Sequence, residues 1–231
     1  LMTLDVAWHP RRWRIPRAGA ILIGVATGGE MMAGDDIAAM EMQIYELTIK
    51  LNKLRQAASG GEVGNYRFAT QSGEVSLLDL FGARDTLLLI HNMGQGCRYC
   101  TLWADGFNGF LPHLESAMSV VLVSKDDPEL QRRFANSRGW RFRLASHGGG
   151  DYMTEQSVQE GGGNMPGAVV YTREGDTIRR KNAVIFGPND RFCSAWNLLA
   201  MAGLDEGSWT PQFNYWQRPA QMDDGGANLV D

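Results

Sequence analysis

The sequence predicts an α/β domain, a central mixed sheet flanked by helices, with a helical arm before it. Three observations carry this. Two apolar runs of strand length, Thr86-Leu87-Leu88-Leu89-Ile90-His91 and Met118-Ser119-Val120-Val121-Leu122-Val123, flank a stretch of helical apolar spacing. Apolar runs with so little alternation suit parallel strands covered on both faces, joined as a βαβ unit. Later, Pro166–Tyr171 and Thr177–Arg180 flank Glu174-Gly175-Asp176, a hairpin signal that adds antiparallel strands. Upstream, Ile37, Met40, Ile44, Leu47, Leu51 and Leu54 recur at steps of three and four, a helical stripe.

Taken in order, residues 1–35 read as a poorly ordered extension. Arg11, Arg12, Arg14 and Arg17 precede the short apolar stretch 18–26, the outline of an export signal interrupted by glycine. The plainer reading is an extension upstream of a natural start at Met31 or Met32, dispensable for folding. Residues 36–61 form the amphipathic arm: Asp35 and Asp36 are N-cap candidates and Gly60-Gly61 stops it. It either docks on the domain or pairs with its copy in a homodimer.

Residues 62–204 form the domain. Tyr66–Ala69 reads as a strand and Val75–Phe81 as a helical turn. After the strand 86–91, a helix is expected from Cys97 to about Ala117. Asp127-Pro128 opens another that runs to about Ser137, with proline tolerated in the first turn. Trp140–Leu144 alternates like an edge strand. Ser146–Gly163, with its two glycine triplets, reads as loop, and no Gly-Lys-Ser/Thr follows to make it a phosphate loop. A last helix is expected from Arg191 to Met201, ending at Gly203. Residues 205–231 form a tail, aromatic first and acidic last.

With 231 residues, 44% of them hydrophobic, the chain can bury one sizeable core. A net charge of −4 argues against nucleic acid as a partner. No apolar run reaches the ~18 residues of a membrane span. Three cysteines are too few and odd in number for a secreted disulfide framework. The expected setting is cytoplasmic, with one redox pair; export is the alternative if residues 1–31 act as a signal.

That pair is Cys97-Arg98-Tyr99-Cys100, after the apolar strand and the loop Asn92–Gly96. Both cysteines fall on one helical face, close enough for a short-loop disulfide. Cys97 stands at the helix start, where unpaired N–H groups and partial positive charge favour the thiolate that does cysteine chemistry. Cys97 is therefore expected to attack and Cys100 to resolve. Arg98 adds positive charge near the sulfurs, and Tyr99 and Trp103 form an apolar rim.

The order of elements, with a CxxC at the first helix and Met165-Pro166 before a late strand, resembles the thioredoxin fold. That resemblance implies that Pro166 faces the cysteines through a cis peptide bond; a trans bond counts against an oxidoreductase. More closely, Gly96-Cys97-Arg98-Tyr99-Cys100-Thr101-Leu102-Trp103-Ala104-Asp105-Gly106-Phe107 resembles the signature of a thioredoxin-like family, domain of unknown function 899, as does the tail Trp209–Trp216. Better-known relatives differ. Thioredoxin carries Gly-Pro between its cysteines and a carboxylate in the preceding strand, where this chain has Arg98-Tyr99 and Leu88, Leu89 and Ile90. Peroxiredoxins carry Thr or Ser three residues before the reactive cysteine, where this chain has Gly94.

The expected activity is thiol–disulfide exchange on a protein or small-molecule disulfide or thiol, with no cofactor and no metal. The alternative is a non-catalytic binding or scaffold protein, with or without a metal at the cysteines, which Cys193 and one of His91, His113 or His147 would complete. Cys193 sits on an apolar helical stretch and reads as core. His91 either approaches Cys97 or is a satisfied structural histidine, and His147 reads as solvated. Asp105 reads as a capping or surface residue, with a proton acceptor as the second reading. Trp209, Phe213, Tyr215 and Trp216 either cover the site or pack across the domain.

Overall fold

The computed structural model describes residues 33–159 and 161–213. Residues 1–32, with the expected extension, and residues 214–231, with Tyr215 and Trp216, lie outside the described residues. Helix α1 spans Ala33–Ala57. Asp35 and Asp36 thus fall inside its first turns and not at a cap. Ile37, Met40, Ile44 and Leu47 on its stripe are exposed. The chain divides into a unit up to Lys50 and the domain from Leu51 onward.

Within the domain come β1 (Gly61–Val63), β2 (Arg67–Thr70), β3 (Gly73–Ser76) and α2 (Leu77–Leu80). The βαβ unit follows as β4 (Thr86–His91), α3 (Arg98–Ala117) and β5 (Ser119–Ser124). Then come α4 (Pro128–Ser137), β6 (Arg143–Ser146), α5 (Asp151–Glu155), β7 (Gly167–Glu174), β8 (Thr177–Ile185) and α6 (Ser194–Met201). The strands form one sheet in the order β1-β8-β7-β4-β5-β6-β2-β3. β4 is parallel to β5 and antiparallel to β7, and β7 pairs with β8 across a two-residue turn. This mixed sheet, with its central β8-β7-β4-β5 order, has the thioredoxin-like arrangement that the sequence predicts.

Local chemistry sets the boundaries. Ser76 and Asp79 form a reciprocal capping box at α2. Asp127 caps α4 through the Glu129 N–H (2.8 Å), with Pro128 in the first turn. In α3, Pro112 offers no N–H to the Asn108 carbonyl, and the helix kinks at Phe110 (φ −113°, ψ 15°). The Arg141 guanidinium bonds that freed carbonyl instead (3.2 Å).

Alternate residues of β4 explain its unbroken apolar run. Leu87 and Leu89 enter one core with Phe68, Val121, Val123 and Tyr171. Ile90 enters the other with Trp103, Phe107, Leu122 and Trp196. Burial stabilises each such leucine by about 1.5–3 kcal/mol.

Two expectations are corrected. The strand read at 140–144 is β6, Arg143–Ser146, and it is not an edge: it lies between β5 and β2, and β1 and β3 are the edges. The β2–β3 hairpin reaches it through the single pair Ala69–Ser146, too little local signal to read from sequence. The glycine-rich 146–163 segment is not all loop. Tyr152 is buried against Phe68, and that anchor holds the one-turn helix α5.

Candidate redox site

The site is built at the end of β4. Asn92, the first residue past the strand, is buried; its N–H bonds Val123 O (2.9 Å) and its side-chain oxygen accepts the Gly94 N–H (2.8 Å). Gly94 takes φ +118°, and a Cβ there would lie 2.8 Å from an Asp126 carboxylate oxygen. Asp126 also accepts the Gln95 N–H (2.7 Å). Together Asn92 and Asp126 fix the turn that delivers Cys97 to the N-cap of α3.

Cys97 is the N-cap of α3, in extended backbone (φ −98°, ψ 101°), and its Sγ accepts the Cys100 N–H at 3.1 Å. Its carbonyl holds the Thr101 N–H and hydroxyl, both at 3.0 Å. The Cys100 side chain also hydrogen-bonds the Cys97 sulfur, and this bond is the largest cause lowering the Cys97 thiol to about 7. Burial opposes it, and the N–H groups of Cys100 and Tyr99 reinforce it. Cys100 shows the reverse. The same bond raises its pKa well above the ordinary value, and burial and the Cys97 charge add to that. A Met93 N–H at 3.4 Å from the Cys100 sulfur pulls the other way. Both cysteines are free thiols, Cys97 half-buried and Cys100 buried.

The other expected residues divide. Arg98 is exposed with its guanidinium 5.9 Å over the Tyr99 ring; the groups that lower Cys97 are Cys100 and the local N–H donors. Tyr99 stands beside the site, stacked on Trp196 (6.2 Å) and bonded to Glu206 (3.2 Å). Trp103 is not on a rim: it is 3% exposed, packed against Phe186 in the core beneath α3, because its place one turn after Tyr99 points it at the sheet.

The Met165–Pro166 bond is trans, as are all peptide bonds among the described residues, which corrects the expected cis bond. The Met165 N–H closes a tight turn onto Gly163 O (2.9 Å), and Pro166 O already pairs with the Phe186 N–H (2.9 Å), so the chain reaches β7 without a cis turn. This segment still borders the cysteine loop: the Asn164 side chain donates to Met93 O at 3.1 Å. By the expectation stated above, the trans bond counts against an oxidoreductase, and the cysteines alone carry that reading.

The histidines do not join the sulfurs. His91 Nε2 bonds the Tyr152 hydroxyl at 2.7 Å, the structural reading. Burial lowers its pKa to about 3, so it stays neutral. Tyr152 adjoins Tyr171 (3.3 Å), Tyr171 bonds Gln156 (3.1 Å), and Gln156 bonds Tyr66 (3.0 Å), which ends on Glu155 (2.6 Å). His147 is half-buried, not simply solvated: its Nδ1 accepts the Gly149 N–H (3.1 Å), and burial lowers its pKa to about 4. Among the described residues, no three His, Cys, Asp or Glu side chains are placed to hold a metal ion. Cys193 lies in the core beside Trp196.

Asp105 is neither a free surface group nor an unoccupied proton acceptor. Its carboxylate accepts the Arg138 guanidinium and the Trp140 indole N–H (2.7 Å), tying α3 to the end of α4. Arg138 also donates to Phe213 O (2.7 Å), and Trp209 packs on Trp196 (5.7 Å), so the described start of the tail lies across the domain. Asn92, Asp126, Tyr152 and Glu206 carry no motif of their own in the sequence. Asn92 alone offers a local signal, a polar residue closing an apolar strand before glycine.

No helix among the described residues is long and apolar enough to cross a membrane. No curated protein matches the sequence. Among solved structures, peroxidoxin BcpB from Mycobacterium tuberculosis is 22% identical with a TM-score of 0.46, covering 62% of this chain and 94% of that one. Peroxiredoxin Q of Xanthomonas campestris gives 17%, 0.45, 63% and 95%. AhpC of Enterococcus faecalis gives 13%, 0.44, 63% and 96%. Residues 32–221 match the family described as "Bacterial protein of unknown function (DUF899)". The chain belongs to that family.

Proposed function

We propose that this member of the family is a thiol–disulfide oxidoreductase in which Cys97 is the attacking thiolate and Cys100 the resolving thiol. The observation that carries this is the opposed tuning of two sulfurs three residues apart. Cys97 is half-buried and held near neutral pKa by donors aimed at it, while Cys100 is buried and kept protonated.

In the first step the Cys97 thiolate attacks one sulfur of a substrate disulfide. A mixed disulfide forms and the other substrate sulfur leaves as a thiolate that takes a proton from water. Cys97 then carries no charge and accepts no proton from Cys100, so two of the three causes that hold the Cys100 thiol up are gone. Burial remains, opposed by the Met93 N–H. Cys100 then loses its proton and attacks Cys97 Sγ, closing the Cys97–Cys100 disulfide and releasing the second substrate thiol. Two electrons have passed to the substrate, and a dithiol donor returns them. The order of attack is thus set by the first step itself.

Cys100→Ser tests this. It should accumulate a partner joined to Cys97, released by reductant and identified by mass spectrometry. If it traps no more than the Cys97→Ser, Cys100→Ser double variant, the proposal fails.

A further inference from the structure

Past the kink in α3, on the same side of the sheet, lies a cavity of about 390 Å³. Small-molecule sites run from about 300 to 1,000 Å³. Its lining is mostly apolar, with Leu88 from the sheet and Phe107 and Phe110 from α3. The kink leaves Phe110 41% exposed here, a large aromatic surface open to an occupant. Among the described residues, the polar side chains that line it are Arg55, Asn182 and Arg191, and no carboxylate does.

These groups favour a single negative charge. Asn182 donates to Arg55 O (3.2 Å), which fixes the last turn of α1 at the cavity. The Arg55 guanidinium lies 5.9 Å over the Phe192 ring, and among the described residues it has no carboxylate partner. A guanidinium over a ring face still carries N–H groups, a planar fork that can make a two-pronged bond to a carboxylate. Arg191 also lines the cavity and has an interaction partner in the chain, and Arg55, over the Phe192 ring, is taken as the anchoring charge.

We infer that this cavity binds an apolar monocarboxylate of medium length, its carboxylate on Arg55 and its hydrocarbon body against Leu88, Phe107 and Phe110. The site is separate from the cysteines and stands whatever chemistry they perform.

Calorimetric titration of the full chain with decanoate and with 1-decanol tests the inference. Decanoate should bind saturably at one site, and decanol about ten-fold or more weakly, since it lacks the charge-assisted bond. Arg55→Gln, which keeps the backbone carbonyl that Asn182 holds, should bring decanoate to the level of decanol. Ala183→Trp, at an exposed strand position on the cavity wall, should abolish binding of both at an unchanged melting temperature. If the tryptophan variant does not fold, Arg55→Gln decides alone. Absence of saturable decanoate binding, equal affinity for acid and alcohol, or decanoate binding unchanged by Arg55→Gln overturns the inference.

Discussion

The end of β4 holds two polar sites on opposite faces of the sheet, and they treat charge in opposite ways. On the α3 face, N–H groups and a thiol point at Cys97 and lower its pKa to about 7, which favours the anion. On the other face, His91 is enclosed with three tyrosines and a glutamine, and burial lowers its pKa to about 3, which removes the cation. Both groups are shifted downward, yet one shift creates a charge near neutral pH and the other abolishes one. A perturbed pKa marks reactivity only when the favoured form is the reactive one and the atom is accessible. Under the proposed function Cys97, half-buried with its anion favoured, meets both conditions, and His91, with its partner supplied, reads as architecture.

The largest expected effect separates the two faces by activity. Cys97→Ser should lower disulfide exchange by on the order of 10³-fold or more, since an alcohol is not ionised at neutral pH. Tyr152→Phe should leave exchange within about two-fold. An insulin-reduction assay on both variants checks this, and comparable losses would erase the distinction.

Stability should show the converse. Tyr152→Phe strands His91 Nε2 and should cost about 1–3 kcal/mol in urea unfolding. At pH 7, where little of the Cys97 contribution is yet present, Cys97→Ser should cost less.

The third way to sharpen the comparison is pH. His91 and His147 have folded pKa values of about 3 and about 4, below the ordinary 6.5. The unfolded chain therefore takes up their protons first as pH falls. Their contribution is complete above about 6.5 and declines toward 4, by at most about 1.4 kcal/mol per pH unit for each histidine. Cys97, lowered from 9.0 to about 7, works in a different window: its contribution is complete above 9 and is lost as pH falls through 7. Urea midpoints from pH 4 to 9 should show both limbs, and Cys97→Ser should flatten the upper one alone.

The smallest effect isolates the cause of the Cys97 shift. Cys100→Ala removes the thiol donor and keeps the N–H groups, so the pH midpoint of Cys97 alkylation should rise from about 7 toward the ordinary thiol value. Arg98→Ala should move it less, because that guanidinium lies over Tyr99. The reverse ranking would restore the arginine as the tuning charge.

Much of this was legible because it is local. The apolar run 86–91, the caps at Cys97 and Asp127 and the turn at Gly175-Asp176 each fix an element from neighbouring residues, and the observed β4, α3, α4 and β7–β8 hairpin follow them. What was not legible depends on distant partners. β1 is three residues with no apolar pattern and exists because β8 pairs with it. β6 looked like an edge because nothing in 140–146 signals that Ala69 will pair beside Ser146. In the site, the placement of Cys97 could be read from the strand, the loop and the helix. The partner of His91 lies 61 residues away, and those of Asp105 lie 33 and 35 away, beyond any spacing rule.

The turn at Gly94 restricts which chemistries lie within reach of mutation. A threonine there would place a hydroxyl three residues before Cys97, the pattern named above for peroxiredoxins. Yet φ +118° is barred to a β-branched residue, and the first carbon of any side chain meets the carboxylate that holds the Gln95 N–H. A single change at position 94 would break the turn before it could add a function. An engineered path to that pattern must rebuild Asp126 and the loop together.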